Sequence, residues 1–330
     1  MSRRLFLFAS DAIVIEATVI EITVTDAHSE FAYIDWIRSR TASHPAVPLG
    51  IGDDAAWLRL APPGECLVTV DMLMEGVDFL LPEADPQFVG RKALAVSLSD
   101  IAAMAGRPLA AFVSIALPQK GGRRLAEGVH AGIETLAGEF NVAIAGGDTN
   151  SWNGPLVLNV TLLGQPTGRG PVRRSGAKVG DWIMVTGDFG GSISGKHLSF
   201  QPRVAEAITL HQTVFLHAMI DVSDGLAADL YHILDESQKG AVVRAADVPV
   251  SEAARLLADK PPLERAFGDG EDFELLFTVS EEDGRRLLAN PPFEARLAQI
   301  GAITADRDCR VVMPDGISSP LERLGWVHRI

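Results

Sequence analysis

A chain of 330 residues, 47% of them hydrophobic, is long enough for two domains with ordinary buried cores. Its 43 acids against 29 bases leave a formal charge of −14, which excludes the basic surface a nucleic-acid groove needs to displace counterions. Two cysteines, Cys66 and Cys309, with no C-x-x-C pair, exclude a disulfide framework and a thiolate zinc centre.

Arg3 and Arg4 precede an apolar run over 5–9 in the manner of a signal peptide, but Asp11, Glu16 and Glu21 leave the hydrophobic region too short. No stretch supplies the roughly 18 uninterrupted apolar residues of a membrane span. A soluble, cytoplasmic protein without a membrane partner is therefore expected. Residues 1–28 form an N-terminal extension whose stretch 12–25 reads as a strand or as a dispensable segment.

From Glu30 the pattern becomes that of a mixed α and β enzyme. Residues 30–40 predict a short amphipathic helix, followed by a glycine loop over 50–54 and a strand over 67–70 ending in Asp71. Pro86, tolerated in a first turn, opens a long helix over 86–106. Strands over 111–117 and 155–163 flank a helix over 122–139, and the first unit closes around Gly164. After a turn-rich segment at 165–170, a second unit begins with a strand over 182–186, a helix over 203–210 and another helix from near Ser223. Further strands are expected at 241–244, 273–279 and 310–313. With no low-complexity linker and no short repeat, the division is 29–166 and 167–330.

The chemistry concentrates in aspartates at the ends of apolar segments. Asp100 is the only ionisable residue between Ala93 and Gly106, and Asp148 the only one between Val142 and Gly164. Asp53 and Asp54 sit in a glycine turn, Asp71 ends a strand, and Asp221-Val222-Ser223-Asp224 leads into a helix. Any one of them serves as well as a helix cap or turn residue, Asp224 especially. Five such places in one chain point instead to a shared site, because a lone carboxylate in apolar surroundings is costly unless paired, protonated or metal-bound. All-oxygen ligands suit magnesium, which also takes water and substrate phosphates and lets an acidic protein bind phosphate. Gly146 and Gly147, beside Asp148, have no Cβ to keep a phosphate from backbone N–H groups, though G-G-D-T alone is a weak motif.

The segment 190–196 (GGSISGK) fits the spacing of a P-loop, but His197 stands where the magnesium-binding hydroxyl is required. Pro202 stops any helix running on from it, so a glycine-rich connector is expected there. The histidines show no H-E-x-x-H spacing, and no G-x-S-x-G elbow is present.

In order and at similar spacing, GIGDDAAWL (50–58), TVDMLMEGVDF (69–79), KALAVSLSDIAAMAG (92–106), GGDT (146–149), RRSGAKVGDWIMVTG (173–187), DVSDGL (221–226) and GEDFELLF (270–277) resemble the thiamine-monophosphate kinase family across 30–330. That resemblance implies the two-domain α+β fold of the aminoimidazole ribonucleotide synthetase-like superfamily. The N-terminal domains of a homodimer would pair, with ATP and several Mg2+ ions at the interface. The implied reaction is phosphorylation of thiamine monophosphate to thiamine diphosphate. By the same resemblance Asp54, Asp71, Asp100, Asp148, Asp221 and Asp224 are metal ligands, with an oxygen added by Thr69. Gly147, Asp148, Arg174 and Ser223 meet the nucleotide, while Glu271 and Trp326 hold the thiamine moiety. Asp78 occupies the substrate-side position where family members carry histidine, Val70 replaces a hydroxyl residue, and the stretch between Gly187 and Pro202 is shorter than usual. Two other readings fit the same residues: a related ATP-dependent enzyme acting on another small substrate, and a non-catalytic nucleotide-binding scaffold.

Overall fold

The computed structural model describes residues 34, 38–39, 44–45, 47–60, 64–81 and 83–327. The expected strand over 12–25 and most of the expected helix over 30–40 fall outside the described residues; Ile34, Arg38 and Ser39 are helical.

The first half contains β1 (Ala56–Leu60), β2 (Gly64–Met74), α1 (Pro86–Ala103), β3 (Arg107–Pro118), α2 (Gly122–Glu139), β4 (Ala143–Trp152) and β5 (Val157–Gln165). Its five strands form one sheet in the order β1-β2-β5-β3-β4. In β2, residues 67, 69, 71 and 73 face the core while 70, 72 and 74 face outward, the period-2 alternation of a strand covered on one side. The covering layer is α1, over β2 and β5, with α2 beside it over β3 and β4. Gly90 and Gly132 allow that close packing, since a Cβ on either would lie 1.9 Å from the Val129 carbonyl oxygen or 1.8 Å from that of Gln87.

Here the structure corrects two expectations and adds a strand. Asp71 does not end its strand: β2 runs on to Met74, because hydroxyls on α1 and β2 satisfy the carboxylate within the sheet. The GGDT segment, for which the sequence predicts no element, is part of β4, an edge strand paired parallel to β3. Gly147 lies so near β3 that a Cβ would sit 1.8 Å from the Val113 carbonyl oxygen. Finally, α1 stops at Ala103, where Ala105 takes φ 53° and the Gly106 N–H donates back to the Ile101 carbonyl oxygen at 2.8 Å, a left-handed C-cap.

The second half contains β6 (Trp182–Thr186), α3 (Lys196–Ser199), α4 (Val204–Thr213), β7 (Ala218–Asp221), α5 (Leu226–Ser237), β8 (Gly240–Arg244), α6 (Glu252–Leu256), α7 (Pro262–Gly268), β9 (Leu275–Val279), α8 (Glu281–Ala289), β10 (Leu297–Thr304), β11 (Cys309–Val312) and β12 (Ser318–Pro320). Seven strands form its sheet in the order β12-β11-β8-β10-β6-β9-β7. One face packs on α5 and α7 through Val185, Ile220, Leu230, Ile233 and Phe267. The other face joins the first half's core through Met184, Met219 and Phe277. Thus α1 lies between the two sheets, touching β2 and β5 on one side and α3, α4 and β7 on the other. A helix buried all round is expected to be apolar all round; Lys92, Ser97, Ser99 and Asp100 break that rule, and each of them reaches the site described next.

Candidate active site

Four elements bring carboxylates together beside α1. Gly52, at φ 117°, turns the chain so that Asp54 points inward, where its buried carboxylate receives the Arg174 fork through Nε and Nη2, both at 3.0 Å. Thr69 and Asp71 stand on the α1-facing side of β2. From α1, Ser97 donates to Asp71 at 2.5 Å, Ser99 donates to Asp221 at 2.5 Å, and Asp100 accepts a short hydrogen bond from Thr69. Asp221, the last residue of β7, completes the set. One carboxylate oxygen from each of Asp54, Asp100 and Asp221 lies within 4.8 Å of the others.

Two like charges at that separation repel by about 3.5 kcal/mol at an effective dielectric near 20. The carboxyls respond by holding protons. Burial pushes Asp221 up to about 8, assisted by the charge of Asp54. Burial raises Asp71 to about 6 against the pull of the Ser97 and Thr69 hydroxyls, and raises Asp53 to about 7 with Asp54 beside it. Asp100 lies well above the ordinary range through burial and then the charges of Asp71, Asp221 and Asp54. Arg174 is raised too: burial works against its charge, but the Asp54 carboxylate outweighs it and holds the proton on. This oxygen-only, proton-retaining cluster has the donor chemistry of a hard-cation site.

The cluster opens into a cavity of about 450 Å³ whose walls include Asp78, Lys92, Ser223, Asp224, Glu271 and Trp326. The expected substrate-side residues are therefore brought to one place. Trp326 lies at the rim, 56% exposed, with its backbone N–H on the Asp224 carbonyl oxygen at 2.9 Å. Asp78 accepts the Met74 N–H at 2.7 Å and so closes the turn after β2. Glu271 is already paired: Lys92 Nζ lies 2.6 Å from Oε1 and His197 Nδ1 lies 3.1 Å from Oε2. Burial opposes the Glu271 charge, yet His197 and Lys92 together keep its carboxyl below the usual range.

Asp224 does not cap the helix it precedes. Instead Asp229, inside the first turn of α5, accepts the N–H groups of Asp224 and Gly225 at 3.1 and 3.0 Å. Asp224, Asp229 and His232 form a second close group. Asp229 is raised well above its usual value by burial and by Asp224, and His232 is lowered to about 4 by burial and then by Arg174.

Asp148 and Gly147 stand apart. Asp71 pairs with Val160, Val160 with Val113 and Val113 with Gly147, so β2 and β4 lie three strand spacings apart, about 14 Å, and Asp148 is exposed. Within one chain Asp148 does not join the carboxylate cluster. The P-loop-like stretch is likewise not directed at a ligand. The Gly190 N–H goes to Asp272 at 3.0 Å, the Gly191 N–H to Asp269 at 3.0 Å, and Lys196 Nζ to Glu274 at 3.1 Å. Its anion-binding groups are spent on the protein's own carboxylates.

Several residues of the site left little trace in the sequence. Lys92, 1% exposed, borders the same apolar run that exposed Asp100 as unusual, and its position one residue before that run is its only signal. Ser97 and Ser99 are small residues compatible with any helix. Because Asp54 has a fully buried side chain, Arg174→Met is expected to destabilise the metal-free protein by about 3 kcal/mol, the cost of leaving a buried charge unpaired. Urea unfolding at neutral pH measures it; a loss below about 1 kcal/mol, typical of exposed pairs, would show that the fork holds nothing together.

The matched family models agree with this architecture. The AIR synthase related protein N-terminal domain matches residues 52–165, and the corresponding C-terminal domain matches 178–314. Two mixed sheets flanking a carboxylate-lined cavity are thus those of an AIR synthase related protein. A thiamine-monophosphate kinase of Rhodopirellula baltica is 43% identical over 266 residues, covering 77% of this chain and 83% of its own. Another, from Bacillus subtilis, is 32% identical over 327 residues, covering 91% of this chain and 99% of its own. The solved structure of AaThiL complexed with AMPPCP and TMP aligns with a TM-score of 0.75 at 29% identity, covering 91% of this chain and 97% of that one. The chain belongs to the thiamine-monophosphate kinase family.

Proposed function

We propose that this chain is a kinase transferring the γ-phosphoryl group of ATP to thiamine monophosphate, giving thiamine diphosphate and ADP. The observation that carries the reading is the convergence of Asp54 and Asp221 on Asp100, which with Asp71 lines a cavity with room for a small phosphorylated substrate. The relatives' names and the AMPPCP and TMP of the solved complex supply the substrate and the donor.

The donor set fits magnesium, with Asp54, Thr69, Asp71, Asp100, Asp221 and Asp224 as its ligands. Held by these residues, a magnesium ion would supply charge neutralisation for the transferring group and for the two anions that must approach. The protein's own part is positional. An acceptor phosphate is largely ionised near neutrality, so no general base is needed. Arg174 anchors Asp54, Ser97 anchors Asp71 and Ser99 anchors Asp221, so the carboxylate oxygens are aimed before substrate arrives. Trp326 offers an aromatic face to the cationic thiazolium, and Glu271 meets it as an anion shared with Lys92 and His197. Ser223 and Arg174 are assigned to the nucleotide side.

A homodimer belongs to the same proposal. The outer face of the first sheet exposes Val70 at 60%, Met72 at 60%, and also Met74 and Phe112, an apolar band that pairing would cover. Such pairing would bring Gly147 and Asp148 to a partner's cavity, a role that the 14 Å separation denies them in one chain. The division at 166/167 and a cytoplasmic location, where ATP is available, complete the reading.

A coupled ADP-release assay with magnesium tests it directly. Turnover that requires thiamine monophosphate supports the assignment; turnover on another acceptor alone, or none, overturns it. Asp78→Asn keeps an oxygen for the Met74 N–H and removes only the charge at the cavity wall. It is expected to raise KM for thiamine monophosphate about fivefold, roughly 1 kcal/mol, with kcat little changed. Steady-state kinetics check this, and a collapse in kcat at unchanged KM would place Asp78 in the transition state instead.

A further inference from the structure

Basic side chains gather at one other place in this chain of net charge −14. A cavity of about 250 Å³ is walled by Arg169, Arg173, Lys178, His211, Phe215 and His217, with no carboxylate in its lining. The nearby carboxylates lie behind the lining and are held by the wall's own groups and by Arg286. Asp181 accepts the Lys178 backbone N–H and His217 Nδ1–H, both at 2.7 Å, and Asp283 pairs with Arg286 at 3.1 Å.

The cavity's own groups are arranged rather than scattered. Arg169 donates to the carbonyl oxygens of His211 and Val214 and stands 5.2 Å from the Phe215 ring centroid. With Nδ1 of His217 donating to Asp181, its Nε2 accepts from Lys178 Nζ at 3.2 Å, leaving two ammonium N–H groups of Lys178. The Arg173 side chain makes no hydrogen bond or ion pair among the described residues and is exposed. His211, 5% exposed, has a ring Nδ1 without a hydrogen-bond partner, while its Nε2 lies 3.2 Å from the Arg169 N–H nitrogen. A buried polar nitrogen left unsatisfied in a wall of cations is uncommon in a folded protein.

We propose that this pocket binds a small phosphate-bearing anion, with Arg173 and Lys178 as the ion-pairing groups and Phe215 as the apolar floor. Guanidinium and ammonium donors converging without a competing carboxylate select an oxyanion. The site is distinct from the acid-lined cavity. His217 precedes β7, and Asp221 at the far end of that strand lies about 13 Å away by strand rise. It is nonetheless adjacent in chain, since Arg173 is followed by the Arg174 that holds Asp54.

Isothermal titration tests the pocket in protein already holding magnesium, a non-hydrolysable ATP analogue and thiamine monophosphate, so that the acid-lined cavity is filled. Inorganic phosphate and glycerol phosphate are titrated separately into the wild type and into Arg173→Ser/Lys178→Ser. The wild type is expected to bind saturably, with the His211 and His217 ring signals shifting in NMR spectra, and the double variant to bind roughly tenfold more weakly or worse. Tighter binding of the ester identifies a phosphomonoester as the occupant, and equal binding identifies free phosphate. No saturable binding by about 10 mM, or equal binding by the double variant, overturns the proposal. Both replaced side chains are exposed, so loss of binding without loss of the folded Tm reports the site itself.

Discussion

Asp100→Asn and Asp221→Asn are each expected to lower kcat by roughly a thousandfold, about 4 kcal/mol of transition-state stabilisation, while raising the Tm of the metal-free protein. The two signs have one cause. Both carboxylates are enclosed within 4.8 Å of Asp54 and of each other, so without a cation they oppose one another. An asparagine keeps an oxygen to accept from Thr69 or Ser99 but carries no charge, which relieves the repulsion and removes a metal ligand together. Kinetics at saturating magnesium and calorimetry on the metal-free variants check both halves. Near-full kcat in either variant would remove that residue from the ligand set, and a lowered Tm would show that the cluster is not under electrostatic strain.

The stability of the metal-free protein should fall as the pH rises from 6.5 to 8. The buried carboxyls have folded values raised to about 7 for Asp53 and about 8 for Asp221, from 3.8. Across this window the unfolded chain has lost those protons while the native state still holds them. Each site therefore costs about 1.4 kcal/mol of stability per pH unit until its folded value is passed. Below pH 6.5 the comparison is less clean, because His232, lowered from 6.5 to about 4, must charge on unfolding and acts in the opposite sense. Magnesium displaces the protons, so its stabilising increment should grow over the same interval. Calorimetry at pH 6.5 and 8, with and without magnesium, decides it. A metal-free Tm that rises between these values would contradict the raised carboxyls.

Local pattern made much of the framework legible. The helix expected over 122–139 is α2, Gly122–Glu139, since its apolar residues recur on one face and glycine opens it. The strand expected over 182–186 is β6, a short apolar run whose burial on both sides of the sheet leaves no other use. Asp100 was readable as unusual because nothing near it in sequence shares its charge. The failures are equally local in origin. Aspartate is rare inside strands, so the sequence alone marks Asp71 as a strand end, and only the hydroxyls of Thr69 and Ser97 explain its place within β2. The strand β4 is hidden by two adjacent glycines, of which Gly147 serves close approach to β3. Sheet order was invisible: β5 inserts between β2 and β3, and that long-range pairing separates Asp148 from Asp71 despite similar flanking chemistry. Lys92 escaped because its partners Asp78, Glu271 and His197 come from three distant segments.

The hydroxyl of Ser99 reaches a carboxylate 122 residues downstream, whereas that of Ser97 reaches one 26 residues upstream. During synthesis the first sheet, with α1 on it, can therefore assemble with Asp100 already bonded to Thr69 while the Ser99 hydroxyl still faces water at the open side of the helix. The opposing charge of Asp221 arrives only when β7 docks, so its share of the electrostatic penalty, added to that of Asp71 and Asp54 in the first half, is deferred to the last large step of folding. Docking is slow for contacts so distant in sequence, and the apolar side of α1 stays uncovered meanwhile. A divalent cation present at that moment would turn the most repulsive contact of the late chain into an attractive one. Nascent chains emerging into a magnesium-poor medium would linger half-assembled, and there the same helix that unites the two sheets becomes the adhesive surface for aggregation.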